Sequence, residues 1–414
     1  MHLISANLFR SVPDLAIQRV AALAAVLLMF AAGCGKVPTF PELIGQAKNE
    51  PGVKAVPGPV VPAPGAVAPA APANPEELIA AFQARRKNEI GDGDLLAVTA
   101  PTSGLDGLTE LDLQGTQVTN AGLANLKNAT GLRRLNVKGT RVDDAGCASI
   151  AQAKGIERLE LEGRSITDAG VKELEPLSQL KVLELRGASL SVQGWNSIAS
   201  HQQLETLIVS NTPVPEPAMK MIGELPNLMH LEMEASGATD RGILLLKPAK
   251  NLRVLLISNS AITGDGLLAI TKAGTLKNLE ELSVYQTGIG RSGAQAIQQL
   301  RSLTKLNMGE TAAIDADLTI LKGLKNLKWL GLSKSANLSS AGLVHLKGLK
   351  ELEYLDISQM QGMTDAGLAH LTTLKKLKRL STGGSNITLR GLQELKKYLP
   401  ELDLPLPPPM NTQP

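Results

Sequence analysis

Apolar residues recur along the chain at fixed phase. In the stretch LTELDLQGTQVTNAGLANL, Leu108, Leu111 and Leu113 open a unit and Val118, Leu123 and Leu126 close it. Taking the second leucine as a marker gives Leu111, Leu135, Leu159, Leu183, Leu207, Leu231, Leu255, Leu282, Leu306, Leu330, Leu355 and Leu380. Successive markers are 24 residues apart six times, then 27, 24, 24, 25 and 25. A near-constant period of this size predicts about a dozen stacked copies of one supersecondary unit.

The unit can be read physically. Leu111 and Leu113 are two apart, so a strand puts both on one face. A turn at Gln114-Gly115-Thr116 follows. Thr119 then precedes Asn120-Ala121-Gly122-Leu123 as the cap of a short helical segment, and Leu123 and Leu126 share one helical face. One unit cannot bury both apolar sides alone, whereas stacked units can. The copies are uneven. Pro213, Pro215 and Pro217 crowd the convex segment of the fifth and predict extended chain in place of helix. Ala235-Ser236-Gly237-Ala238 fills the sixth weakly and predicts local flexibility.

These residues resemble the leucine-rich repeat family. The form LxxLxLxxTxITDAGLxxL is similar to a bacterial 24-residue type, itself close to the cysteine-containing repeats of F-box proteins. Thr116, Thr140 and Thr212 stand where those repeats carry cysteine. The resemblance covers residues 105–404. It implies an α/β solenoid of about 12 repeats, curved, with a parallel sheet on the concave face and short helices on the convex face. It also implies partner binding rather than catalysis.

Strand alternation sends the residues one before, one after and three after each marker into the groove. Tyr285, Trp329 and Tyr354 fall on such positions, flanked by Lys305, Asn307, Asp356 and Arg379. The chain has only nine aromatic residues (four Phe, two Trp, three Tyr), so three on one patch carry weight. Aromatics beside arginine compose many binding hot spots, and the same rings can stack on sugars. Strand preference alone also accounts for Trp and Tyr there. Toward the amino end the groove is acidic, with Glu160, Glu162, Glu184, Glu232 and Glu234. Such carboxylates could take a basic partner, bind Ca²⁺ or cleave a glycoside. Interleaved with Arg158 and Arg186, they read first as a solvated face.

The flanks predict export. Residues 1–33 form a signal peptide, with Arg10 and Arg19 before an apolar run, Val20 to Ala32, too short for a spanning helix. Ala31-Ala32-Gly33-Cys34 resembles a bacterial lipoprotein signal, although leucine is usual where Ala31 stands. That resemblance implies lipidation of Cys34 and, with Gly35 following, the outer membrane. An ordinary secretory signal with an incidental cysteine is the plainer alternative. Residues 34–74 are a Pro/Ala-rich linker that extends ~3.1 Å per residue, on the order of 100 Å in all. Residues 75–104 form an amino-terminal cap opening at Asn74-Pro75 and using Leu95, Leu96 and Val98. Residues 105–404 are the repeats, with Leu402-Asp403-Leu404 a truncated last strand, and 405–414 are a Pro-rich tail.

The 414-residue chain carries a net charge of +3, which indicates no general affinity for nucleic acid. No Walker loop, GxGxxG or HExxH occurs, and the five histidines lack metal-ligand spacing. Catalytic, cofactor and metal sites are therefore expected to be none. Cys147 sits at a core position and leaves Cys34 without a disulfide partner. The combined expectation is a non-catalytic scaffold of the cell envelope that recognises a protein or polysaccharide partner, touching membrane only through its lipid anchor. A structural spacer or surface-layer role, and more remotely a glycan-cleaving enzyme, are the alternatives.

Overall fold

The computed structural model describes residues 81–82, 84–99 and 107–403. Within them, twelve strands form one parallel sheet in strict chain order. They are β1 Glu110–Asp112, β2 Arg134–Asn136, β3 Arg158–Glu162, β4 Val182–Arg186, β5 Thr206–Ile208 and β6 His230–Glu232, then β7 Val254–Leu256, β8 Glu281–Ser283, β9 Lys305–Asn307, β10 Trp329–Gly331, β11 Tyr354–Asp356 and β12 Arg379–Ser381. Every pairing sets marker leucine opposite marker leucine, from Leu111 against Leu135 to Leu355 against Leu380. The register therefore has no shear. No marker is more than 8% exposed, and one apolar core runs without a break from Phe82 to Leu402.

Each strand is followed within a few residues by a left-handed residue at one fixed position, and the turn after β6 adds a second, Gly237. The residue at the fixed position is glycine in the first four copies (Gly115, Gly139, Gly163, Gly187) and the last (Gly384). Between them it is Asn211, Ala235, Asn259, Gln286, Glu310, Lys334 and Gln359. A side chain there costs roughly 1 kcal/mol relative to glycine.

The return segments are short helices, α-helical as in Asp168–Glu173 or 3₁₀ as in Gly122–Asn128. A recurring Thr-Asp-Ala-Gly motif ties them together. The Thr or Ser caps its own helix, and also donates its amide and hydroxyl to the Asp of the preceding copy. Thr263 reaches Asp240 at 2.7 and 2.6 Å, and Thr388 reaches Asp365 at 2.7 and 2.7 Å. The Gly is required by close approach: a Cβ at Gly194, Gly266 or Gly391 would overlap the preceding aspartate's Oδ1.

The fifth copy departs from expectation. It contains a full helix, Glu216–Gly223, rather than extended chain. Pro215 is its N-cap and Pro217 lies in its first turn, where no intrahelical N–H bond exists to be lost. In the sixth copy Ser236 and Ala238 are buried in the turn.

The ends are closed. Helix Asp92–Val98 buries Leu95 and Val98 against the first copy, and Asp92 accepts from Thr119 like any copy's aspartate. The helix start at Asn74-Pro75 lies outside the described residues, as do the signal, the linker, Cys34 and the tail. Asp403 makes one parallel bridge to Arg379, the truncated last strand. Cys147 is fully buried and its thiol is pushed up to about 12 by burial, then by Asp144, Asp143 and Glu173, so it is inert. No described helix is long and apolar enough to cross a membrane.

Candidate functional site

The zero-shear register carries side chains of equal phase into rows along the sheet. Trp329 pairs directly with Tyr354, and their rings stack at 5.2 Å between centroids and 6° between planes. The strand spacing of ~4.8 Å accounts for the separation. The indole leans over Gly331, where a Cβ would lie 2.7 Å from Cη2 and 2.9 Å from Cζ3. Gly331 thus lets the ring lie down on the sheet. Tyr354 is fixed at its far end by a 2.9 Å hydrogen bond between its hydroxyl and that of Ser381.

The predicted neighbours surround this pair. Asn307 and Asp356 flank Gly331 on β9 and β11. The Asn307 carboxamide oxygen accepts from Gly309 N at 3.3 Å, and Asp356 accepts from Ser358 at 2.9 Å (amide) and 2.6 Å (hydroxyl). Lys305 is drawn away from the indole by Glu281 at 3.1 Å. Arg379 is exposed and meets no carboxylate among the described residues. Ser333 and Ser358 keep the adjoining row small.

Tyr285 lies on the opposite rim, not on the stacked pair. Its hydroxyl donates to Glu310 Oε2 at 2.5 Å, and Lys334 Nζ sits 5.8 Å above its ring. Lys334 and Glu310 are themselves 3.6 Å apart. Both side chains that orient Tyr285 therefore project from left-handed residues just past their strands. Sequence reasoning passed over Gln286, Glu310 and Lys334. Their signal was available: each occupies the slot that is glycine in copies one to four.

The acidic half of the groove is different from a solvated face. Lys138 bridges Glu160 at 2.7 Å and Glu184 at 2.9 Å, and Arg186 bridges Glu184 at 2.7 Å and Glu232 at 2.7 Å. Ser210 adds a bond to Glu232 at 2.9 Å. Glu184 is 5% and Glu232 9% exposed. Burial would raise the Glu184 carboxyl, but hydrogen bonds from Arg186 and Lys138, and their charges, outweigh it and hold it below the ordinary range. These carboxylates are internally neutralised. Glu234 is half-buried outside the chain of ion pairs. A 460 Å³ depression over β1 to β4 is lined by similarly paired residues, including Glu110 and Arg134 at 2.7 Å. No group of His, Cys, Asp or Glu able to hold a metal occurs among the described residues.

The acidic and aromatic regions are separate. Between them lie Val254 and Leu256 on β7, apolar groove positions missing from the expected set, with His230 beside Val254; Ile208, also missing from it, sits within the acidic half between Glu184 and Glu232. Burial pushes the His230 imidazole down, and its buried Nε2 has no hydrogen-bond partner among the described residues.

This fold is the leucine-rich repeat solenoid. Residues 108–127 match the family model described as Leucine Rich repeat. Among solved structures, an internalin from Listeria monocytogenes is similar over 79% of this chain and 86% of its own, at 17% identity and a TM-score of 0.51. A Leptospira interrogans LRR protein is similar over 73% of this chain and 91% of its own, at 19% identity and a TM-score of 0.43. The yeast Rad7 and Elc1 complex contains a chain similar over 85% of this one and 95% of its own, at 16% identity and 0.45. No curated protein matches in sequence.

Proposed function

We propose that this chain is a non-catalytic binding scaffold, exported and held to the bacterial outer membrane by lipidated Cys34, that recognises a protein or polysaccharide of the envelope in its groove. The Trp329–Tyr354 stack carries the reading. Two of nine aromatics lie side by side on the concave sheet, half-buried, over a glycine floor. Core packing does not need them there, because the marker leucines point the other way. Asn307, Asp356, Arg379 and Lys305 supply hydrogen bonds and charge around the rings. Glu184 and Glu232 shape the remote half of the groove, and Glu234 borders it. The signal-like leader and the proline-rich tether support placement away from a membrane surface.

The test uses the two tryptophans. Trp195 is 1% exposed in the core, so Trp195→Phe leaves Trp329 as the fluorescent reporter of the groove. Fractionated envelope protein and glycan should shift that emission saturably, and Trp329→Ala with Tyr354→Ala should abolish capture while the circular dichroism spectrum is retained. Capture unchanged by the double substitution rejects the groove assignment. Retention of full-length Cys34→Ser in the membrane fraction rejects the anchor.

A further inference from the structure

A second surface lies outside the groove, on the edge where helices turn back into strands. Five residues before the marker leucine, the first six copies carry Asp106, Thr130, Lys154, Ser178, Gln202 and Pro226. The last six carry Lys250, Lys277, Arg301, Lys325, Lys350 and Lys375. Each of these six cations is exposed, and none has a carboxylate partner among the described residues. Elsewhere the chain pairs its surface charges freely, as in Arg253 with Glu280 at 2.7 Å and Lys376 with Glu351 at 2.6 Å.

The cations are fixed in position by the next copy. Lys250 donates to Ala273 O at 3.0 Å, Arg301 to Gly323 O at 3.1 Å, Lys350 to Thr373 O at 3.2 Å and Lys375 to Tyr398 O at 2.9 Å. These carbonyls end the helical segments, so each of these four cations meets the negative end of a helix dipole. Capping explains how the ammonium groups are held. It does not explain why all six of the last slots hold a cation when only one of the first six, Lys154, does. A capping ammonium also keeps donors free for another acceptor.

With no shear in the sheet, equal positions stack in file. Adjacent copies advance ~4.8 Å on the sheet side, so five steps give a line of charge of roughly 24 Å. Lys322 and Lys347, three residues upstream in the twin segments Leu321–Lys325 and Leu346–Lys350 (both LKGLK), widen the same edge.

We infer that this edge binds a linear anionic polysaccharide, one bearing a carboxylate or phosphate on each sugar or each pair of sugars. Charges on such a polymer are spaced on the scale of a pyranose ring, comparable with the advance per copy. Binders of single-stranded nucleic acid supply rows of aromatic rings for base stacking, and this edge has no such row among the described residues. Of the exposed large apolar side chains described, only Tyr398 lies on this edge; Val192, Ile314, Val344 and Leu389 belong to the helical segments. The edge therefore lacks the apolar residues with which a surface helix enters a bilayer.

The probe is polygalacturonate, titrated into the full chain by calorimetry, with dextran of similar length as the neutral control. Polygalacturonate should bind, dextran should not, and affinity should fall about tenfold or more between ~20 and ~200 mM salt. The triple substitution Lys325→Gln, Lys350→Gln, Lys375→Gln should weaken binding by at least about tenfold, from three lost charge contacts. Arginine at the same positions should preserve both binding and capping, and the wild-type salt response needs no variant at all. Lys127→Gln, Arg164→Gln, Lys172→Gln, equal in charge change and outside the slot, should leave binding intact, as should Trp329→Ala with Tyr354→Ala. Absence of polygalacturonate binding at low salt, salt-insensitive binding, or equal loss in the control triple overturns the inference. So does tighter, lysine-dependent binding to phosphatidylglycerol vesicles or to an oligodeoxynucleotide.

Discussion

Asp168 occupies the space that a side chain on Gly194 would fill. Its Oδ1 accepts a hydrogen bond from the Gly194 amide at 3.1 Å and another from Ser191 N at 2.8 Å, both in the next copy. The atoms crowding a Cβ at Gly194 are all side-chain atoms, those of Asp168 and Leu190. Gly194→Ala is therefore expected to cost ~1–3 kcal/mol by overpacking, and Asp168→Ala ~1–2 kcal/mol by stranding its donors. Made together, the two should cost less than their sum, because alanine at 168 vacates the space. Urea midpoints of the two single variants and the double variant test this, and strict additivity would refute it.

The Thr-Asp-Ala-Gly motif shows how far the sequence could be read. Its cap role is local and was legible in kind: Thr167 is the N-cap of Asp168–Glu173 and accepts from Ala169 N at 3.3 Å, whereas in the first copy Thr119 accepts from Ala121 N at 3.2 Å but the segment Gly122–Asn128 is capped at Ala121 instead. Its coupling role was not. The aspartate's partner lies 23 residues on, as Thr263 does for Asp240, and only stacking brings the two together. The Trp329–Tyr354 contact was legible because the 25-residue step fixes register and register fixes neighbours. The ion chain through Glu184 was not, since it depends on Lys138 reaching across two strands. The helix after Pro215 was missed for a third reason: proline breaks helix interiors but suits their first turn.

Acid should loosen the ion chain. Glu184 titrates below its ordinary value of 4.5 in the folded state. A depressed carboxylate stabilises the fold above the unfolded pKa, and the contribution fades as pH falls through the folded one. Lys138, which burial would depress, is raised instead by hydrogen bonds and charge from Glu160 and Glu184, and that contribution fades only at strongly alkaline pH. Between about pH 5 and 3 the wild type should lose stability faster than Glu184→Gln. Parallel pH profiles of the two would contradict the assignment.

Glu310 separates stability from binding. Its backbone is left-handed, φ 50°, and its carboxylate holds Tyr285. Glu310→Gly relieves the backbone and should gain up to ~1 kcal/mol less whatever the lost Tyr285 bond contributed, ~0.5–1.5 kcal/mol. The expected outcome is a midpoint near that of wild type with weakened groove binding. A strongly destabilised Glu310→Gly, by more than ~2 kcal/mol, would show the residue to be a structural necessity instead.

Position along the array should decide the cost of a core truncation. Leu255 is fully buried between β6 and β8, and Leu255→Ala removes contacts to both neighbouring copies, with an expected cost of ~2–5 kcal/mol. Leu380 lies on β12, is 8% exposed, and has a full strand on one side only. Leu380→Ala should therefore cost less and fray the last copy first, because stability in such an array is a sum of nearest-neighbour interfaces. Hydrogen exchange distinguishes the two: Leu255→Ala should lower protection on both sides of β7, Leu380→Ala only from β11 onward. Equal loss of protection throughout in both variants would mean that the copies fold as one indivisible unit.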